Sequence, residues 1–141
     1  MKTYIKGMIL TLIIFLTICG CDEIADKRYG IKIINNSNVE IMVTAGCSKF
    51  GMYSYPDTIL PVSRPSLISV GTSNYNYLDH SFSWEEVIEE LPSDTLSIYV
   101  FEKKEVSELG WKQIRTDYKV LIRKEYSSED LTNMNYTITY P

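Results

Sequence analysis

Histidine occurs once in this chain, at His80, and no glycine-rich phosphate loop or nucleophile-elbow motif is present. A transition-metal centre draws on several His, Cys or carboxylate ligands at set spacings, so such a centre is not expected. A Ser-His-Asp arrangement would have a single possible base and no Gly-x-Ser-x-Gly turn to present the serine. No nucleotide-binding loop is present to cradle a cofactor phosphate, and no cofactor is expected. Paired carboxylates remain as the one route to acid-base chemistry, as in a glycosidase. The densest acidic group, Glu85, Glu86, Glu89 and Glu90, falls on one predicted helix and reads as solvated surface. Positive charge is scarce too: 14 Lys and Arg face 18 Asp and Glu, a net charge of −4. That balance argues against nucleic acid or an anionic lipid surface as the main partner.

Long apolar runs are likewise limited to one place, the start. Lys2 and Lys6 precede an uncharged apolar stretch from Met8 to Ile18. Those 11 residues would span roughly 16 Å as a helix, about half the ~30 Å hydrocarbon core of a bilayer. Charge, length and position match a secretory signal rather than a membrane span. The segment Ile18-Cys19-Gly20-Cys21 resembles the lipobox of bacterial lipoproteins, whose cysteine thiol receives a diacylglycerol and whose signal is cut just before it. This assigns residues 1–20 to a cleaved signal peptide and 21–29 to a lipidated tether, leaving 30–141 as one β-rich domain. Cys21 is the lipid-attachment residue, and palmitate-type acyl chains would hold the domain on a membrane. Cleavage removes Lys2 and Lys6, so 12 cations would face 18 acids, a net charge of −6. With Cys19 removed and Cys21 acylated, Cys47 stands alone, which excludes an internal disulfide and leaves a buried structural thiol.

The mature chain alternates strand and turn signals. Gly30 to Asn36, a turn at Asn35-Asn36-Ser37-Asn38, and Val39 to Ala45 predict a β-hairpin with one buried face. Thr58 to Val62 and Leu67 to Val70 predict short strands beside Pro61 and Pro65, and Gly71 to Ser81 a polar loop. Ser83 to Leu91 is the clearest helix. Ser83 and Glu86 form a capping box, and Trp84, Val87, Ile88 and Leu91 make one apolar stripe. Thr95 to Phe101 is apolar on both faces and predicts a central strand. Lys103 to Glu108 reads as a loop or helical turn, and Trp111, Ile114 and Tyr118 as a helix face. Lys119 to Tyr126 is a strand, Ser127 to about Met134 a capped helix, and Tyr136 to Tyr140 a closing strand. The pattern predicts a mainly β fold, an antiparallel β-sandwich of general immunoglobulin-like architecture with two or three short helical insertions. The alternative is an α+β fold with helices on one face of an antiparallel sheet.

Several segments together carry a family likeness: Ile33-Ile34-Asn35-Asn36-Ser37, Tyr55-Pro56-Asp57-Thr58, Asp94-Thr95-Leu96, Trp111-Lys112-Gln113-Ile114, Asp117-Tyr118-Lys119-Val120-Leu121, Ser128-Glu129-Asp130-Leu131 and Ile138-Thr139-Tyr140-Pro141. On these the chain resembles a group of small uncharacterised lipoproteins of Bacteroidota. The resemblance implies a cell envelope location, with Asp22-Glu23 after the cysteine favouring the outer membrane on its periplasmic or surface face. It also implies O-glycosylation at Thr58 and Thr95, because Asp57-Thr58-Ile59 and Asp94-Thr95-Leu96 resemble the acceptor triplet of that phylum. It supplies no activity. Eleven tyrosines are the compositional oddity. Tyr53, Tyr55, Tyr75 and Tyr77 lie in irregular segments and are the candidates for stacking on a glycan or anchoring a protein. The expected function is a membrane-anchored, non-enzymatic binding or interaction module. A carboxylate-dependent hydrolase acting on envelope or dietary glycans is the alternative.

Overall fold

A computed structural model describes residues 29–47, 59–74, 79–80 and 82–141. In chain order the elements are β1 (Tyr29–Gly30), β2 (Lys32–Asn35), β3 (Ile41–Ala45), β4 (Ser66–Ile68), β5 (Ser73–Asn74), β6 (Asp79–His80), α1 (Trp84–Glu89), β7 (Leu96–Glu102), α2 (Lys103–Leu109), α3 (Trp111–Asp117), β8 (Ile122–Tyr126), α4 (Ser128–Asn133) and β9 (Thr137–Tyr140). The larger sheet runs β4-β3-β7-β8, and every pair in it is antiparallel. The smaller runs β5-β2-β9, with β2 and β9 parallel, and β1 pairs with β6 over two residues.

β7 is the centre because its sequence is apolar on both faces. Leu96, Ile98 and Val100 share one face with Ile41, Val43 and Ala45 of β3. They pack in a single cluster with Ile33 and Ile138 of the smaller sheet and with Trp84, Val87, Ile88 and Leu131 of α1 and α4. Tyr99 and Phe101 face the other way, into a second cluster with Met42, Leu60, Val106 and Ile114. Gly110, at φ +79, makes the sharp junction between α2 and α3 that brings Val106 and Ile114 to the same side.

Two helices, α1 and α4, start where the sequence places their caps. The Ser83 hydroxyl accepts from Glu86 N at 3.2 Å, and the Glu86 carboxylate accepts from Ser83 N at 3.0 Å. Ser127 and Asp130 repeat the arrangement at α4, at 3.1 and 2.9 Å. Each box satisfies N–H groups that a helix start leaves open. The predicted stripe of Trp84, Val87, Ile88 and Leu91 is buried throughout.

The architecture is mixed α/β, with the antiparallel sheet and short helices of the α+β expectation. Helices contribute to the clusters on both faces of the larger sheet, not to one face, and β2–β9 departs from an all-antiparallel arrangement. The expected hairpin of β2 with β3 is not formed: the two strands belong to different sheets. The cause is Asn35, fully buried at the corner. Its amide Nδ2 donates to Val39 O at 2.8 Å and Ile68 O at 3.1 Å. Its Oδ1 accepts from the Ser37 N–H at 3.0 Å and hydroxyl at 2.6 Å. Its backbone N–H donates to Thr72 O and its carbonyl accepts from Gly71 N–H. A side chain with this many local bonds turns the chain without a hairpin ladder.

Smaller expectations also meet the structure: within the expected polar loop Gly71 to Ser81, Ser73–Asn74 and Asp79–His80 form the short strands β5 and β6. Residues 59–62 of the expected strand Thr58–Val62 are not in a strand. Pro61 has no N–H to give a ladder, and side chains of α3 take the place of a strand neighbour. Trp111 Nε1–H donates to Val62 O and Arg115 Nε–H to Leu60 O, each at 3.1 Å. Of the two options for Lys103 to Glu108, a loop or a helical turn, the helical one holds: the stretch lies in α2. The Lys103 N–H donates to Glu40 O at 3.1 Å, and its ammonium pairs with the Glu40 carboxylate at 2.6 Å, which ties the start of α2 to the larger sheet.

Candidate functional site

Two of the concavities on the surface of the described residues bear on function. One is an open groove of about 530 Å³ over the helix side, lined by Glu102, Glu105, Glu108, Lys104, Lys119 and Leu121. Its glutamates and lysines are drawn to one another: Lys119 Nζ pairs with Glu105 at 3.0 Å and Lys104 with Glu108 at 4.0 Å. Such half-exposed pairs contribute little to stability and leave no carboxylate sequestered from water.

The other is a small apolar slot of about 60 Å³ between β8 and β9. These are the outer strands of the two sheets, and the sheets part between them. Alternation along β8 decides what lines it. Ile122, Lys124 and Tyr126 stand opposite Val100, Ile98 and Leu96, so they share the inward face. Arg123 and Glu125 point to the helix side, where they pair with each other and Arg123 lies 6.0 Å from the centre of the Tyr99 ring. Ile33, Ile98, Ile138 and Tyr126 make the floor and walls. Burial, and then the charge of Asp130, push the Tyr126 phenol above its ordinary pKa, so it stays neutral. Lys124 is the single cation of the lining. It is exposed, and its ammonium makes no hydrogen bond or ion pair with any described residue.

The residues singled out from sequence divide in two. Cys21, Tyr53, Tyr55, Thr58, Tyr75 and Tyr77 lie outside the described residues. Thr95 is half-buried in the turn before β7, beside Asp94 at φ +51, and its hydroxyl donates to Ser93 Oγ at 3.1 Å. Cys47 packs against the sheet-side cluster, and burial pushes its thiol up to about 11. At neutral pH it is protonated and a poor nucleophile. The described tyrosines, Tyr29, Tyr99, Tyr118, Tyr126, Tyr136 and Tyr140, are all buried or half-buried, so much of the tyrosine excess serves packing.

The acidic helix face has structural employment. The Tyr136 hydroxyl donates to the Glu85 carboxylate, which draws the Glu85 pKa below the ordinary glutamate value and raises that of Tyr136. Glu86 closes the capping box. The Glu85 bond reaches Tyr136, which follows Asn135 in a left-handed pair at φ +48 and +50. Sequence reading found neither the β8–β9 slot nor this link. The signal available for the slot was the single lysine among the inward positions of an otherwise apolar strand face.

Among the described residues no three His, Cys, Asp or Glu side chains are grouped so as to hold a metal ion, and no helix is long and apolar enough to cross a membrane. No family model, curated protein or solved structure matches this chain.

Proposed function

We propose that this chain is a lipid-anchored envelope protein, a non-enzymatic binding or interaction module held on a membrane through acyl chains on Cys21. The observation that carries the reading is the run from Met1 to Glu23: two lysines, 11 uncharged residues, then Gly20-Cys21. Only seven residues, 22–28, separate Cys21 from β1, a reach of at most about 25 Å. A domain on so short a tether works beside the bilayer, which suits a module that presents a surface to an envelope partner. The outer membrane, facing the periplasm or the exterior, fits Asp22-Glu23 and the likeness to small Bacteroidota lipoproteins.

The sandwich reading is supported by the shared cluster: Ile33 and Ile138 of the smaller sheet pack with Ile98 and Val100 of the larger. Thr95 in a half-exposed turn fits a glycan acceptor, with Thr58 as the second. Tyr53, Tyr55, Tyr75 and Tyr77 remain the candidate contacts for a protein or glycan partner, and the β8–β9 slot is a separate candidate for a protein partner.

Metabolic labelling with palmitate and the intact mass of the purified protein test the anchor. The expected product begins at Cys21 and carries acyl chains, and Cys21→Ser abolishes both labelling and membrane retention. An unlabelled chain that retains residues 1–20 would overturn the reading.

A further inference from the structure

We infer that the outer edge of β8, which pairs with no strand among the described residues, accepts one extended segment of a partner protein as an added antiparallel strand, with an acidic residue against Lys124 and aliphatic residues against Ile122 and Tyr126. The inference rests on the binding-module reading and gives its partner a chemistry.

The two larger sheets have four outer strands among the described residues, and they differ in what they offer. β5 has two residues; β4 has three and follows Pro65; β9 has four and runs into Pro141. β8 has five and no proline. Short edges and flanking prolines blunt strand pairing, so β8 is the edge left able to pair. A strand laid along it would satisfy its outward backbone groups, and alternate side chains would point where Ile122, Lys124 and Tyr126 point, into the slot. The slot's 60 Å³ has room for a short aliphatic side chain, not for a lipid chain or a sugar ring. Main-chain bonds supply affinity in such additions, and the alternating pockets supply choice.

Lys124 makes that choice. It is a charged side chain on the inward face of an edge strand, a placement that discourages indiscriminate pairing. A second copy of this chain is disfavoured for the same reason: β8 paired with itself about its midpoint would set Lys124 against Lys124, and like charges directly opposite are destabilising. A partner strand with Asp or Glu at that position turns the penalty into attraction, so one lysine both rejects and selects. Arg123 and Glu125 are already paired with each other on the opposite face, which leaves the central position to decide.

The test uses the full acylated chain in detergent micelles and two blocked seven-residue peptides, Thr-Val-Thr-Glu-Thr-Val-Thr and the same peptide with Lys at its centre. The acidic peptide is expected to bind at least tenfold more tightly and to slow amide exchange in residues 122–126. Lys124→Glu is expected to reverse the preference. Because Lys124 is exposed, that variant should keep the parent's far-UV circular dichroism. Equal affinities, protection elsewhere in the chain, no binding by either peptide at millimolar concentration, or a dimer in which β8 is protected without peptide would each overturn the inference. The anchor reading fails separately: an unacylated Cys21 with selective peptide binding removes the location and leaves strand docking in place. Acylated Cys21 and a stoichiometric envelope partner with no peptide binding does the reverse.

Discussion

On one face of β7 the side chains are Leu96, Ile98 and Val100, clustered with the smaller sheet and with α1 and α4; on the other they are Tyr99 and Phe101, clustered with α2 and α3. On the α2–α3 side Phe101 and Trp111 meet edge to face with centroids 5.1 Å apart. The two clusters also differ in how far along the chain they reach. Most of the helix-side cluster comes from β7 and the two helices directly after it, with Met42 and Leu60 added. The sheet-side cluster extends from Ile31 to Ile138. One face is thus assembled largely from neighbours, while the other requires both ends of the described fold. The contrast teaches that one strand can join a local and a non-local core if its alternate residues suit two different kinds of surface.

The heaviest blow to the sheet-side arrangement should come from Asn35→Leu. The substitution deprives Val39 O, Ile68 O and Ser37 of their buried partners. A loss of about 4 kcal/mol is expected by urea denaturation, with parallel loss of sheet signal. A loss below about 1 kcal/mol would mean that the corner is held by the backbone alone.

Next in size are cavities in the two clusters. Phe101→Ala and Ile98→Ala should each cost about 3 kcal/mol. Trp84 reports on the sheet side and Trp111 on the helix side, so single-tryptophan variants follow each cluster separately. If β7 couples them, both tryptophans unfold at one urea concentration in either cavity variant. Separate midpoints would divide the domain into two units and sharpen the contrast between local and non-local cores.

Helix caps give a smaller effect and a direct comparison between the sides. Ser83→Ala and Ser127→Ala should each lower stability by about 1 kcal/mol. α2 has no side-chain bond at its N-cap Glu102, so Glu102→Ala should change stability by only a few tenths of a kcal/mol.

The smallest effect is in pH dependence. The folded-state pKa of Glu85 is depressed, first by the Tyr136 hydroxyl and then by its own backbone N–H. Its contribution is therefore present above the ordinary value of 4.5 and is lost as pH falls through the lower folded value. Tyr136→Phe should reduce stability at pH 7 and flatten the acid limb of the stability profile below pH 4.5. An unchanged acid limb would show that the bond contributes nothing. The same pair has an alkaline signature. The Tyr136 phenol is raised, first by Glu85, so its contribution is present below 10 and is lost as pH rises through its folded value.

Much of the local structure was legible in the residues. Ser83-x-x-Glu86 and Ser127-x-x-Asp130 marked helix starts, since a cap depends on residues three apart. Leu96 to Phe101 announced a strand buried on both faces. Proline, by contrast, misled at Leu60-Pro61-Val62, where burial without a sheet ladder depends on Trp111 and Arg115, which come some 50 residues later. The false hairpin had a similar origin. Asn35-Asn36-Ser37-Asn38 does turn the chain, but whether β3 folds back on β2 or departs to another sheet depends on Ile68 and Thr72. The slot between β8 and β9 was invisible for the same reason, because its walls come from four strands.

What the sequence determined by itself was short-range: the two capped helices, the apolar stripe of α1, the alternation that buries both faces of β7, and the apolar start ending at Cys21. Each depends on side chains within a few positions of one another, where helical and strand periodicity act directly. What only the tertiary structure decided was partnership: β2 beside β9 in parallel, β3 in a different sheet from β2, and β8 as an outer strand among the described residues. Backbone hydrogen bonds are the same for every residue and carry no address. Pairing is selected instead by which apolar faces can be buried together, and that is a property of the whole assembled chain.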